Sequence, residues 1–295
     1  MNQRASYIGE LAARIFALRR TGEVTRVFQR SVYLKTGKDF VLLLWGELRS
    51  PMTVNVVGRG EVLRQFRHGE RCTFDSDDVR FEKAEITMKG AEVHRSSLLV
   101  RRVVGFPSES ALVKGVSMLK SLYDVSPSGP KLPADGALNN FVRMVLSPFS
   151  EGRPKAMFRV EGYLPLIGRG GGFTPAGDDF VGGFLATFNY IARCRRSRQV
   201  SLPRASISSR TVPESAAILG YSLKGYVDEG LERLILKTLE GGDSSFYDDL
   251  LAVAHRGHTS GIDMSLGVLL CEAAMSDAAN GGRSLQGCFE VLRNP

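Results

Sequence analysis

The segment GRGGGFTPAGDDFVGG, residues 168–183, places a run of glycines, a Thr-Pro pair and two adjacent aspartates just ahead of an apolar stretch. Glycine permits positive φ and lets another atom approach the backbone. Thr174 suits a helix N-cap and Pro175 a first helical position. A helix starting there turns free N–H groups and a positive dipole end towards the glycines, an arrangement suited to phosphate or carboxylate. The segment is not a Walker loop, because no Lys-Ser/Thr follows the glycines. It also lacks the strand–loop–helix–strand setting of a dinucleotide fingerprint. Asp178 and Asp179 point in different directions from one helical turn, so both cannot serve one cap. Mg2+ would reconcile them with a bound anion, since that ion commonly uses one or two carboxylates together with substrate oxygens. A tight turn whose aspartates accept from nearby N–H groups is the competing explanation.

A second segment, RGHTSGIDMSLGVLL at residues 256–270, echoes the first. Ala176-Gly177-Asp178-Asp179 and Ser260-Gly261-Ile262-Asp263 share the pattern Ala/Ser-Gly-x-Asp. Each follows a Gly-x-Thr, ending at Thr174 and Thr259. Each precedes a glycine four residues beyond its last aspartate, Gly183 and Gly267. Glycine inside a helix costs about 1 kcal/mol relative to alanine, a cost that close helix–helix approach would offset. The two helices are therefore expected to cross near their N-termini and enclose one pocket. Amides of Gly170, Gly171, Gly172, Gly177, Gly257 and Gly261 would bind substrate oxygens there, with hydroxyls of Thr174, Thr259 and Ser260. His258 is the candidate acid/base, with Asp178 and Asp179 as further catalytic candidates, and Asp178, Asp179 and Asp263 form the candidate Mg2+ set. His255, at the end of a predicted helix, could serve as well or simply cap carbonyls. No GxSxG motif is present, so a serine nucleophile is not expected.

LIGRGGGFTPAGDDFVGG resembles the Gly-x-Gly-x-Gly-Leu-Thr-Pro-Ser-Gly-Asp-Asp hallmark of the AllH family, named for a subunit of the oxamate carbamoyltransferase of anaerobic allantoin breakdown. Phe173 and Ala176 depart from it. The downstream SLKGYVDEGLERLILKTL and AHRGHTSGIDMSLGVLL are similar to the family's C-terminal Gly-x-x-Ser-Gly-x-Asp region, and the resemblance covers residues 138–271. It implies a carbamoyltransferase-type enzyme or subunit, working with partner subunits or as a homo-oligomer on a small anionic metabolite such as carbamoyl phosphate or oxamate. A nonenzymatic metabolite-binding subunit and a nucleotide- or phosphate-dependent transferase are the alternatives.

The elements that must position these residues fall in the second half of the chain. The first half carries β-branched and aromatic runs, VTRVFQRSVYL, FVLLLWGEL and MTVNVVG, broken by turn residues, and the alternation continues to about Val104. TGKD between the first two runs reads as a hairpin turn. Trp45, the only tryptophan, is assigned to the core. Ahead of the strands, Ile8, Leu11, Ala12, Ile15 and Phe16 recur at helical spacing. After Phe106 the spacing is helical, at about 107–124, 138–146, 178–192, 213–223, 228–239, 244–254 and 260–275. The Pro/Gly/Ser stretch 125–136 reads as a linker or a loop over a pocket. The expected fold is α+β, a sheet- or barrel-like domain over 1–106 and a helical domain without strands over 107–295.

The bulk composition fits that division. The 295 residues are 43% apolar and 24% charged, enough for a substantial core. The formal charge of +8 admits anionic partners. The densest basic run, RCRRSR at 193–198, has no interleaved aromatics for stacking bases, so nucleic acid is not an expected partner. Cys72, Cys194, Cys271 and Cys288 lack metal-ligand spacing and read as reduced thiols. With neither a leader-like apolar stretch nor a run long enough to span a bilayer, the chain is expected in the cytoplasm.

Overall fold

The computed structural model describes residues 2–58, 65–99, 102, 105–125, 136–241, 246–257 and 259–293. They form two compact units, Met1–Ser97 with Tyr226–Glu229, and Leu98–Gly225 with Gly230–Pro295.

The first unit is an eight-stranded β-barrel with one extra strand. The chain enters as β1 (Asn2–Gly9) and turns into α1 (Glu10–Leu18). It continues through β2 (Thr21–Val27), β3 (Ser31–Thr36), β4 (Asp39–Leu44) and β5 (Thr53–Val56). Four short strands follow, β6 (Arg71–Phe74), β7 (Asp78–Arg80), β8 (Glu85–Thr87) and β9 (Glu92–His94). Spatial order is β5-β4-β3-β2-β6-β7-β8-β1, and β1 closes the barrel on β5. The first residues of β1 run parallel to β8, and its last residues run parallel to β9. Closure removes the free edges an open sheet would expose.

The β3–β4 hairpin turns at Gly37-Lys38, where Gly37 has φ +62° and Thr36 faces Asp39. Alternate residues point inward, so Val32, Leu34, Val41, Leu43, Val54 and Ile86 fill the interior with Phe16 and Phe74. Trp45 lies in this core, its Nε1 donating to Gln3 Oε1 at 3.1 Å. The helical spacing at the N-terminus begins too early: Ile8 belongs to β1, and the helix starts at Glu10. Leu11 and Ala12 both donate their amides to the Pro51 carbonyl, which satisfies the first turn. The expected alternation to Val104 also ends earlier, at His94, and a 3-10 turn occupies Ser97–Leu99. Residues 100, 101, 103 and 104 lie outside the described set.

The second unit is helical. In chain order come α2 (Glu109–Val125), α3 (Gly136–Phe141), α4 (Ser147–Ser150) and α5 (Val160–Tyr163). Next are α6 (Ala176–Cys194), α7 (Arg204–Ser208), α8 (Pro213–Ser222) and α9 (Glu229–Leu239). The chain ends with α10 (Tyr247–Ala254), α11 (Ser260–Asn280) and α12 (Ser284–Arg293). No strand occurs here among the described residues. The helix expected at 138–146 continues to Ser150, with a π turn at Val142–Leu146 where the Ser147 amide reaches the Val142 carbonyl. Pro148, which has no N–H to donate, follows that turn directly.

Helices α6 and α11 are buried almost all round and form the centre of this unit. They cross glycine to glycine. A Cβ on Gly183 would lie 2.1 Å from the Met264 carbonyl oxygen, and one on Gly267 would lie 2.2 Å from that of Phe180. The expected close approach is what the structure contains. Of the basic run, Arg193 donates to the Leu98 carbonyl, while Arg195 and Arg198 stack over Phe106 and Phe158. The four cysteines are free thiols. No helix among the described residues is long and apolar enough to cross a membrane.

Candidate functional site

The crossing of α6 and α11 brings the two glycine-rich segments together. The Thr174 hydroxyl donates to Asp179 Oδ2 at 2.9 Å and lies 3.0 Å from the Ser260 hydroxyl. Ser260 also hydrogen-bonds Asp179, and Asp263 is close enough to repel its charge. Residues about eighty positions apart thus share one polar cluster at the start of two helices.

The glycine loop is shaped by three left-handed residues, Gly168, Gly170 and Gly172, with φ of +80°, +93° and +100°. Three glycines serve packing, Gly170 with a Cβ position only 2.9 Å from the Ala176 Cβ. A Cβ on Gly168 would meet the Arg210 carbonyl at 2.0 Å, and one on Gly177 would meet that of Leu166 at 1.9 Å. The Gly177 amide donates to the Arg169 carbonyl, which closes the loop on the helix. Gly170, Gly171 and Gly172 are exposed, and their amides donate to no acceptor among the described residues. Successive unpaired amides, with left-handed residues at alternate positions, are available donors of the kind that can hold oxyanions.

Thr174 does not cap the helix as its sequence position predicts. Pro175 occupies the cap position, in extended conformation, and the helix begins at Ala176. The hydroxyl of Thr174 is thereby released to Asp179. In the second segment Thr259 precedes the helix, again without a side-chain cap. Gly261 is packed, since a Cβ there would lie 1.9 Å from the Val253 carbonyl, and its amide donates to the Arg256 carbonyl. Gly257 is exposed and left-handed, φ +63°. His258 lies outside the described residues. His255 is exposed, with Nδ1 2.7 Å from the Leu251 carbonyl at the end of α10, the carbonyl-capping position.

The three aspartates differ in environment although all are buried. Asp178 Oδ1 accepts the Gly168 amide at 2.7 Å, and Oδ2 accepts the hydroxyls of Thr211 and Ser215. Both oxygens are engaged in bracing the loop. Asp179 accepts only hydroxyls, and burial pushes its pKa well above the usual carboxylate range. Asp263 is fully buried, and burial raises its pKa to about 7 although the Tyr123 and Thr259 hydroxyls oppose the shift. Asp263 Oδ1 accepts the Tyr123 hydroxyl, while Oδ2 has no hydrogen-bond partner of good geometry. Two buried carboxyls this close favour a state in which they hold at least one proton. Among the described residues no three His, Cys, Asp or Glu side chains converge as a metal-ligating group. Asp178, Asp179 and Asp263 do not form one ligand set.

Three participants carried no signal in the chain. Tyr123 occupies a position of ordinary core spacing on α2, and Thr211 and Ser215 flank the Val-Pro start of α8. Only the partnership of Asp178 identifies the last two. A groove of about 560 Å3 in the same unit, lined by residues including Asn140, Arg143, Arg153 and Arg293, contains none of the glycine-segment residues.

Residues 166–272 match the family model described as oxamate carbamoyltransferase subunit AllH, a stretch that spans both glycine segments and most of α11. No curated protein and no solved structure matches the chain.

Proposed function

We propose that the second unit carries the site of a carbamoyltransferase-type enzyme or enzyme subunit that acts on a small anionic metabolite. The match over residues 166–272 supports a carbamoyltransferase-related role. The observation that carries the site is the meeting of Thr174, Asp179 and Ser260 beside the unpaired amides of Gly170, Gly171 and Gly172.

In this reading the loop amides hold phosphate or carboxylate oxygens, with hydroxyls from Thr174, Thr259 and Ser260 in support. Asp179 and Asp263 accept from the NH2 of the carbamoyl group. Asp178, Gly177 and Gly261 shape the site and touch no ligand. In the phosphorolytic direction a phosphate oxygen attacks the carbamoyl carbon, the bond from that carbon to the oxamate nitrogen breaks, and the departing nitrogen takes a proton. His258 is the candidate donor of that proton. Such a transfer depends on orientation and charge stabilisation and needs no protein nucleophile.

The word "subunit" in the description of the matched family favours a second reading, in which the chain binds the metabolite and a partner chain completes the chemistry. Turnover by the isolated protein separates the two.

The test is ligand-linked stability. Carbamoyl phosphate, oxamate, oxalurate, phosphate and nucleotides are each added with and without Mg2+. A true ligand at a hundred to a thousand times its Kd stabilises by about 3–4 kcal/mol. Asp179→Asn is expected to abolish the shift while the circular dichroism of the folded protein is retained. No shift with any ligand sinks the proposal, and a dependence on Mg2+ would restore a metal to the acidic pair.

A further inference from the structure

Tyr123 reaches the site from α2, an element that neither glycine segment contains. It is 2% exposed, and its hydroxyl donates to Oδ1 of Asp263. Asp263 belongs to the first turn of α11. Its other oxygen, Oδ2, is buried and lacks a hydrogen-bond partner. An acceptor left in that state is costly, and a donor from a bound ligand would relieve the cost. The groups that face Asp263 are the Tyr123 hydroxyl from α2, Asp179 from α6 and the Thr259 hydroxyl at its own helix start. Among these it is the Tyr123 hydroxyl whose hydrogen bond has good geometry, and that bond fixes which oxygen is occupied and so which way the carboxyl group is turned.

We propose that Tyr123 is a positioning residue that determines specificity: by holding Oδ1 of Asp263 it presents Oδ2 as the acceptor for an N–H of the ligand. The inference rests on the reading of the site given above. It assigns discrimination between an amide NH2 and a methyl group of the same size to a tyrosine that touches no ligand. Anion binding stays with the loop amides and is independent of Tyr123.

The experiment compares carbamoyl phosphate with acetyl phosphate, which differ by NH2 against CH3 at equal charge. Calorimetric titration in the cold, with the full chain, gives both dissociation constants. The wild type is expected to favour carbamoyl phosphate by about tenfold or more, the range for a hydrogen bond to a charged or strongly polarised acceptor. Tyr123→Phe removes only the hydroxyl. It is expected to leave acetyl phosphate binding within about twofold and to reduce the preference to about threefold or less, because the carboxyl group is then free to turn. A variant that retains the full preference, or that loses both ligands equally, overturns the inference. So does a wild type that binds both without preference. A wild type that binds neither overturns the function on which the inference rests, an outcome seen before any variant is made.

Discussion

Two neighbouring aspartates, identical in type, have opposite environments. Asp178 is supplied with an amide and two hydroxyls, whereas Asp179 and Asp263 receive hydroxyls alone and lie near each other. Asp178→Ala would strand the Gly168 amide and two hydroxyls. It is expected to lower stability by about 2–4 kcal/mol in urea titration. For Asp263 the sign is reversed. Its pKa is raised from 3.8 to about 7, so the folded state binds a proton that the unfolded state releases. Wild-type stability from this group therefore falls as pH rises from 3.8 towards 7 and stays low above it. Asp263→Asn removes the buried charge. Relative to wild type it is expected to gain stability above neutrality, by about 4 kcal/mol at most for a shift of this size, and to gain none in acid. Melting curves at several pH values check the crossover. A gain that persists unchanged in acid would show that the ionisation of Asp263 is not its origin.

At the scale of elements, the pairing of α6 with α11 is decided by what their glycines lack. Each helix gives up helical propensity at one position, and in return its backbone lies against the carbonyl of its partner. Gly183→Ala and Gly267→Ala would each restore about 1 kcal/mol of propensity. Each would also force apart a contact of 2.1–2.2 Å with main chain, which cannot rotate away. The net expectation is destabilisation of at least about 1–3 kcal/mol, with loss of ligand-linked stability because Thr174 and Ser260 separate. Unchanged melting in both variants would show that the helices can part at no cost. The echo of spacing between the two segments makes this crossing legible in the sequence. Thr174 shows where such reading stops: its type and position suit a cap, yet Pro175 already supplies the extended turn, and the hydroxyl goes to Asp179.

For the whole molecule, the chain divides its labour between a β unit and a helical unit. Trp45 reports on the barrel core, and far-ultraviolet circular dichroism reports chiefly on the helices. Gly267→Ala, studied below its melting temperature, is expected to leave the Trp45 emission wavelength at the wild-type value while its helical transition moves down. A red-shifted emission in the folded variant would contradict that expectation. The amino-acid sequence by itself determined the strand-rich first half, the helical second half, the glycine crossing and the acidic residues near it. These are local matters: hydrophobic period, turn residues, and small side chains at helical spacing act over a few residues and leave their pattern in the chain. Barrel closure through β1, the early end of the strands, the bracing of Asp178 by Thr211 and Ser215, and the grip of Tyr123 on Asp263 were decided only in three dimensions. Each joins groups far apart along the chain, and a tyrosine at core spacing looks the same whether its hydroxyl meets water, a carbonyl or a buried carboxyl group.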